Sequence, residues 1–162
     1  MKKTGTKRIL HNKSQILIKN FHPSIKPPIS KIQITNIVNN VMAGEDCRNF
    51  YLYINLIQNV EIKRINKKFL NHNYYTDIIT FPYSNGKSAK EGELFISLDE
   101  VKNNSMFYNE SFKTELTRVI IHGCLHLKGY NDKTKSQKEL IRNKENFYLS
   151  KLKRSNKMLR II

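Results

Sequence analysis

Apolar residues recur with two different spacings along this chain, and each spacing predicts a different kind of element. Residues 15–19, 50–56, 76–81 and 93–98 are short and rich in β-branched and aromatic side chains, which predicts four strands. Spacings of three and four predict helices around residues 29–44, 62–69, 100–108 and 111–129, and from 136 onward. The order β-α-β-α-β-β-α-α-α predicts an α+β fold in a single domain, a small mixed four-stranded sheet packed with about five helices.

Turn and capping residues predict where these helices begin and end. Gly44 is placed to end the first helix in a left-handed conformation, and Gly129 to end the helix of residues 111–129. Ser136, with Glu139 three residues later, predicts a capping box at the start of the last helix.

Length and composition indicate one domain at 14–150, with a basic extension at 1–13 whose order the sequence leaves open and a basic helix end or tail at 151–162. No apolar run reaches the roughly 20 residues of a membrane span, and no secretory signal is recognisable, so we expect a cytoplasmic protein with no membrane partner. Cys47 and Cys124 are too few for a disulfide framework and are expected to be free thiols.

Charge gives the first indication of a partner. The chain carries 29 Lys and Arg against 13 Asp and Glu, a formal net charge of +16 that favours binding to nucleic acid. The basic residues are scattered from Lys2 to Arg160, so a compositional bias towards Lys remains an equal alternative.

Two histidines on the 111–129 helix predict a metal site on a central helix. His122 and His126 lie four residues apart, which places both imidazoles on one helix face at the separation that two ligands of one ion need. Asp132 follows the turn at Gly129 and could return as a third ligand, which leaves a fourth position open as in catalytic zinc sites. A coincidental polar patch is the alternative.

Neighbouring positions refine this hypothesis. Gly123 stands where a zinc protease of the H-E-x-x-H type has its Glu, which argues against that class. Cys124 points to the opposite side of the helix and is expected in the core. Glu115 and Arg118 lie on about the same face as His122 and could orient an imidazole through hydrogen bonds, or could be solvated.

The segment HGCLHLKGYND (122–132) is similar to the motif HGxLHLxGYDH of the YbeY family of bacterial rRNA maturation factors. Upstream, INKKFLNHNYYTDIITFPY (65–83) resembles its LN…TDVLSFP segment, and GELFISLDEV (92–101) resembles its GDIxIS segment. The resemblance covers about residues 50–148.

The resemblance implies a metal-dependent, single-strand-specific endoribonuclease that matures the 3′ end of 16S rRNA and takes part in ribosome quality control. Its partners would be ribosomal RNA, other single-stranded RNA and the small ribosomal subunit, with no small-molecule cofactor. His122 and His126 would be ligands of one divalent ion, zinc being the first expectation. Asp132 stands at the family's third histidine, and two histidines with one carboxylate also suit iron, manganese or nickel.

Other positions of the family pattern bear on catalysis. Thr76 and Asp77 match its TD pair and are expected to edge the cleft, whereas Leu70 stands at the position of an arginine that could stabilise charge on phosphorus. His72 or a lysine from elsewhere could replace that arginine, although a loop histidine is the simpler interpretation of His72.

Two other function classes remain open at this stage. One is a metal-dependent hydrolase of another substrate, such as a peptidase with an unusual base. The other is a non-catalytic RNA-binding or ribosome-associated factor in which the metal only stabilises the fold. A structural zinc normally has four protein ligands, and the sequence offers three, so catalysis is favoured.

Overall fold

The computed structural model describes residues 13–83 and 90–159. Its elements are β1 Gln15–Asn20, α1 Lys31–Gly44, β2 Tyr51–Ile57, α2 Asn59–Leu70, β3 Ile78–Pro82, β4 Glu91–Ser97, α3 Leu98–Phe107, α4 Phe112–Leu127 and α5 Lys135–Leu159. These confirm the predicted α+β class, with four strands and five helices in the order expected. The predicted extension at 1–13 lies outside the described residues apart from Lys13.

The sheet has the strand order β1-β2-β4-β3 and is mixed, as predicted. The pairs β1–β2 and β2–β4 are parallel, and β3 joins the edge of β4 antiparallel. Ile18, Ile54 and Leu94 lie side by side across the three parallel strands and are buried. The alternation in β2 therefore divides a fully buried face from a half-buried one.

Helix α4 is the central helix of the domain and contacts α1, α3, α5 and β3. Leu116, Ile120 and Cys124 on it are fully buried, so Cys124 is a core residue as predicted. A Cβ at Gly123 would lie 2.6 Å from Ile78 Cδ1 and 3.0 Å from both Leu94 methyl carbons. The glycine thus lets the helix approach the sheet closely at the turn that carries His122.

Two helix boundaries differ from the predictions. Gly44 lies inside α1 and is not left-handed; the positive φ belongs to Asp46, at 54°. Gly44 is needed for space instead, because a Cβ there would lie 3.0 Å from Tyr148 Cζ, 2.8 Å from its Cε1 and closer still to its hydroxyl oxygen. Glycine is therefore required at this position by the long-range contact with Tyr148 and not by the local backbone conformation.

The start of α5 is the second difference. The predicted capping box of Ser136 and Glu139 is wrong, because α5 begins at Lys135. Thr134 and Gln137 exchange the two capping hydrogen bonds, Gln137 N–H donating to Thr134 Oγ1 at 3.2 Å and Thr134 N–H to Gln137 Oε1 at 3.1 Å.

In residues 13–83 and 90–159, no helix combines the length and the apolar character that crossing a bilayer demands.

Candidate metal centre and cleft

The end of α4 brings His122, His126 and Asp132 together. Helix α4 ends at Leu127, and Gly129 with a φ of 92° reverses the chain, as its position in the sequence predicted. The Nε2 atoms of His122 and His126 are 2.8 Å apart. Asp132 Oδ2 lies 3.8 Å from the first of these atoms and 3.6 Å from the second. One ligand atom from each residue lies within 4.8 Å of the others.

The other ring nitrogen of each histidine is already engaged. His122 Nδ1 lies 2.7 Å from Glu145 Oε1, and His126 Nδ1 lies 2.9 Å from the carbonyl oxygen of Tyr130. A carbonyl and an ionised carboxylate only accept, so each Nδ1 carries the proton and donates it. In the neutral tautomer both Nε2 atoms then direct lone pairs towards each other.

Two facing lone pairs and an adjacent carboxylate oxygen fit a divalent cation. Metal-binding histidines commonly donate their second N–H to a carboxylate or a backbone carbonyl, which fixes the ring and raises its basicity. The donor set of two imidazole nitrogens and one carboxylate oxygen suits zinc and also iron, manganese and nickel. His122 and His126 side chains are 23% exposed and Asp132 47%, so solvent and substrate reach the ligand side.

Glu145 on α5 is the functional residue that sequence reasoning missed. Its side chain is 6% exposed and bonds Arg118 Nη1 at 3.2 Å as well as His122. Arg118 also donates to Asn146 Oδ1 at 2.9 Å, so it holds Glu145 and not an imidazole. A signal was available, because Glu145 lies four residues after the buried Ile141 and three before the buried Tyr148. A carboxylate in that apolar stripe needs a partner.

This network shifts the pKa values of its members. Burial raises the pKa of Glu145, but the hydrogen bonds and charges of His122 and Arg118 together outweigh burial, so the net pKa is lowered. Burial lowers the pKa of His122, but the hydrogen bond that His122 donates to Glu145, together with the negative charges of Glu145, Asp77 and Asp132, outweighs burial and gives a net rise. Burial and the neighbouring charge of His122 together lower the pKa of His126.

A cleft of about 590 Å³ opens over the ligand side, and we call it the histidine cleft. Besides the three ligand candidates it is lined by Leu70, His72, Tyr74, Thr76, Asp77 and Lys133, among others. The structure therefore brings four sequence-predicted positions, Leu70, His72, Thr76 and Asp77, into the lining of this cleft. His72 is exposed, and its Nδ1 lies 3.0 Å from the hydroxyl of Tyr74.

A second cavity, of about 270 Å³, lies beside the first and shares Asp77 and His122 with it. We call it the acidic cavity, since its lining includes Asp77, Glu110, Glu115 and Glu145 together with Arg118, Arg142, Asn104 and Tyr108. Burial raises the pKa values of both Asp77 and Glu115. Glu115 lines this cavity and, within the described part of the chain, makes no hydrogen bond to an imidazole.

Comparisons with known proteins agree with one another. The family model described as Endoribonuclease YbeY matches residues 18–153, which extends the resemblance noted above upstream into β1. A relative from Azobacteroides pseudotrichonymphae, named Endoribonuclease YbeY, is 43% identical over 78% of this chain and 91% of its own length. One of the same name from Cytophaga hutchinsonii is 52% identical, with 54% of this chain and 61% of the relative aligned.

The solution structure of TM1509 from Thermotoga maritima superposes with a TM-score of 0.64 at 25% identity, covering 88% of this chain and 93% of that one. The chain belongs to the YbeY family of endoribonucleases.

Proposed function

We propose that this protein hydrolyses internal phosphodiester bonds of single-stranded RNA. His122, His126 and Asp132 hold one divalent cation, for which zinc is the first expectation. The protein's substrate in the cell is ribosomal RNA at the 3′ end of 16S rRNA on the small subunit, where it also serves ribosome quality control. The observation that carries this proposal is the pair of Nε2 atoms 2.8 Å apart, each ring fixed from behind by an acceptor. Family membership supports RNA as the substrate class.

Each residue of the site has a role that follows from its position. A bound divalent cation supplies Lewis acidity, which stabilises charge on a phosphoryl oxygen and activates water at neutral pH. Glu145 and the Tyr130 carbonyl keep the two imidazoles in the tautomer that presents Nε2. Asp132 Oδ2 adds a negatively charged oxygen beside the Nε2 atoms of His122 and His126, on the side that is more exposed to solvent.

A lysine supports charge stabilisation where the family's arginine is missing. Leu70 brings no charge to the histidine cleft, and Lys133 is the one Lys or Arg among the described residues that line it. We infer that the Lys133 ammonium stabilises negative charge on the scissile phosphate, because a cation positioned beside a developing charge acts most strongly in a partly desolvated cleft.

Exposed aromatic rings support the preference for single strands. Tyr74 is 55% exposed at the rim of the histidine cleft, and its ring stacks on His72 with centroids 5.1 Å apart. Unpaired bases can stack on such a platform, at about 1–3 kcal/mol per base, whereas paired bases are already stacked in their helix. The net charge of +16 supports binding of the flanking phosphates.

The test combines metal content with cleavage. Metal bound to the purified wild type, His126→Ala and Asp132→Ala is measured by mass spectrometry, and each is assayed on an RNA oligonucleotide and on the same strand annealed to its complement. Glu139→Ala, an exposed carboxylate of α5, is the matched control. We expect about one ion per wild-type and control chain, its loss in both ligand variants, and cleavage of the single strand alone. A wild type that holds no metal and gains no activity from any added divalent ion would overturn the proposal.

The ribosomal substrate needs its own assay. Small subunits that carry 16S rRNA with an unprocessed 3′ end are incubated with the wild type and with His126→Ala. Trimming of the 3′ extension by the wild type alone supports the proposal. Cleavage of oligonucleotides with no action on the subunits contradicts the ribosomal part.

A further inference from the structure

The acidic cavity contains a buried carboxylate that the proposed hydrolysis does not use. Glu115 is 5% exposed and faces this cavity. Among the described residues, no side chain or backbone group forms a hydrogen bond or an ion pair with its carboxylate; Arg118, on the same helix, has its hydrogen bonds with Glu145 and Asn146. The oxygens of Glu115 face the open space of the cavity, where water is their donor, and a ligand with N–H groups can take the place of that water.

Other kinds of ligand fit the acidic cavity less well. Within residues 13–83 and 90–159, the group with metal-ligand spacing is His122, His126 and Asp132, so the carboxylates of the cavity do not converge on a cation. A phosphate would face Asp77, Glu115 and Glu145 together, and Arg118 is already paired with Glu145. Neither a metal ion nor a phosphate therefore fits the cavity, whereas a group that donates hydrogen bonds to carboxylates does.

The position of the cavity points to part of the RNA itself. His122 and Asp77 form part of both the acidic cavity and the histidine cleft, so a group in the cavity lies next to the reacting phosphate. At about 270 Å³ the cavity is somewhat smaller than the roughly 300–1,000 Å³ of pockets for drug-sized ligands, which suits one base rather than a whole nucleotide. Tyr108 at its rim is 59% exposed and offers a ring for stacking.

We propose that the acidic cavity binds the base of an unpaired guanosine beside the scissile phosphate, with Glu115 accepting hydrogen bonds from N1–H and from the N2 amino group. This inference rests on the proposed function. Guanine offers two adjacent donors to the two oxygens of one carboxylate. Adenine and cytosine offer one amino group beside an acceptor nitrogen, and the N3–H of uracil lies between two carbonyl oxygens that the carboxylate would repel.

Nucleotide binding tests the proposal apart from cleavage. Binding of 5′-GMP, 5′-IMP, 5′-AMP, 5′-CMP and 5′-UMP to the purified, metal-loaded protein is measured by calorimetry. Inosine lacks only the N2 amino group, so we expect GMP to bind about tenfold or more tightly than IMP, the scale of one lost partner in a bidentate contact. Glu115→Gln should remove this difference, because its amide presents one oxygen in place of two. Glu139→Gln, outside the cavity, should preserve it.

A second variant protects the test against a folding defect. Tyr108 is exposed, so Tyr108→Leu leaves the core intact and should weaken GMP and IMP binding by the same factor. Equal binding of all five nucleotides by the wild type would overturn the proposal, as would a second Mn²⁺ equivalent bound by the wild type and lost in Glu115→Gln.

Cleavage separates this proposal from the function on which it rests. RNA cut in single strands without preference for guanosine, with GMP and IMP bound equally, overturns the guanosine site and leaves the nuclease standing. Selective GMP binding that depends on Glu115, in a protein that cuts no RNA, supports the site and overturns the nuclease.

Discussion

Glu145→Gln tests whether the charge behind His122 matters to the metal centre. Glutamine keeps the size of the side chain and one carbonyl oxygen that can accept from Nδ1–H, so the ring can stay in place while the negative charge is lost. The carboxylate now bonds His122 at 2.7 Å and Arg118 at 3.2 Å, with its side chain 6% exposed. The substitution therefore removes a buried charge and keeps most of the shape.

The expected loss falls on metal affinity more than on folding. Outer partners of metal ligands are worth ten- to hundredfold in affinity, which is about 1.4–2.7 kcal/mol. Arg118 loses its counter-charge, but it keeps its hydrogen bond to Asn146 Oδ1 at 2.9 Å and its side chain is 22% exposed, so solvent screens the guanidinium charge that remains. We therefore expect the free energy of unfolding to fall by about 1–2 kcal/mol, below the 3–5 kcal/mol that follows when a buried charge is left unpaired.

Competition with a chelator gives the zinc affinity, and urea denaturation of the chelator-treated protein gives the stability. Glu139→Gln, on the exposed side of the same helix, is the control for both. Wild-type zinc affinity in Glu145→Gln would refute the role we assign to the carboxylate. A loss of stability well above 3 kcal/mol would show instead that Glu145 mainly holds α5 to α4.

Three further outcomes follow from other contacts. Burial raises the pKa of Glu45, but hydrogen bonds from Lys144 and two tyrosines outweigh it and lower the net value, so the ionised form stabilises the fold above the unfolded pKa of about 4.5. Urea unfolding should find Glu45→Gln about 1–2 kcal/mol less stable at pH 7, with the difference shrinking as the pH falls below 4.5 through the lower folded pKa; a constant difference contradicts this. Gly44→Ala should lower the free energy of unfolding by about 1–2 kcal/mol, since its Cβ would displace the Tyr148 ring, and an unchanged melting temperature would show that the ring can move. Leu70→Arg should restore ~10-fold or more of the cleavage rate lost in Lys133→Ala, and no gain would mean that the missing arginine has no counterpart at this position.

Local sequence patterns were sufficient for most of the fold. The alternation in β2 and the spacing in α4 predicted both elements, because each segment buries one face whose residues recur with the period of that element. The His122 and His126 pair was visible for the same reason, since residues four apart share a helix face whatever surrounds the helix. The turn at Gly129 predicted that Asp132 would come back towards them.

Long-range contacts account for what the sequence did not reveal. Glu145 meets His122 only because α5 packs on α4 with a particular rotation, and no local rule specifies the angle between two helices. The local sequence predicts a left-handed cap at Gly44, because that is the common local reason for glycine at a helix end. Its actual reason, the ring of Tyr148, lies 104 residues further along the sequence.

The hydrogen bond between Glu145 and His122 joins residues 23 positions apart on separate helices. All three ligand candidates precede α5, so a chain that has been synthesised only as far as Asp132 already contains them. Its His122 ring still lacks the carboxylate that selects the tautomer, and it can turn its other nitrogen outward. Under the proposed function, binding of the cation in the working geometry depends on the last helix, and we expect the site to stay inactive until nearly the whole domain has emerged from the ribosome and folded.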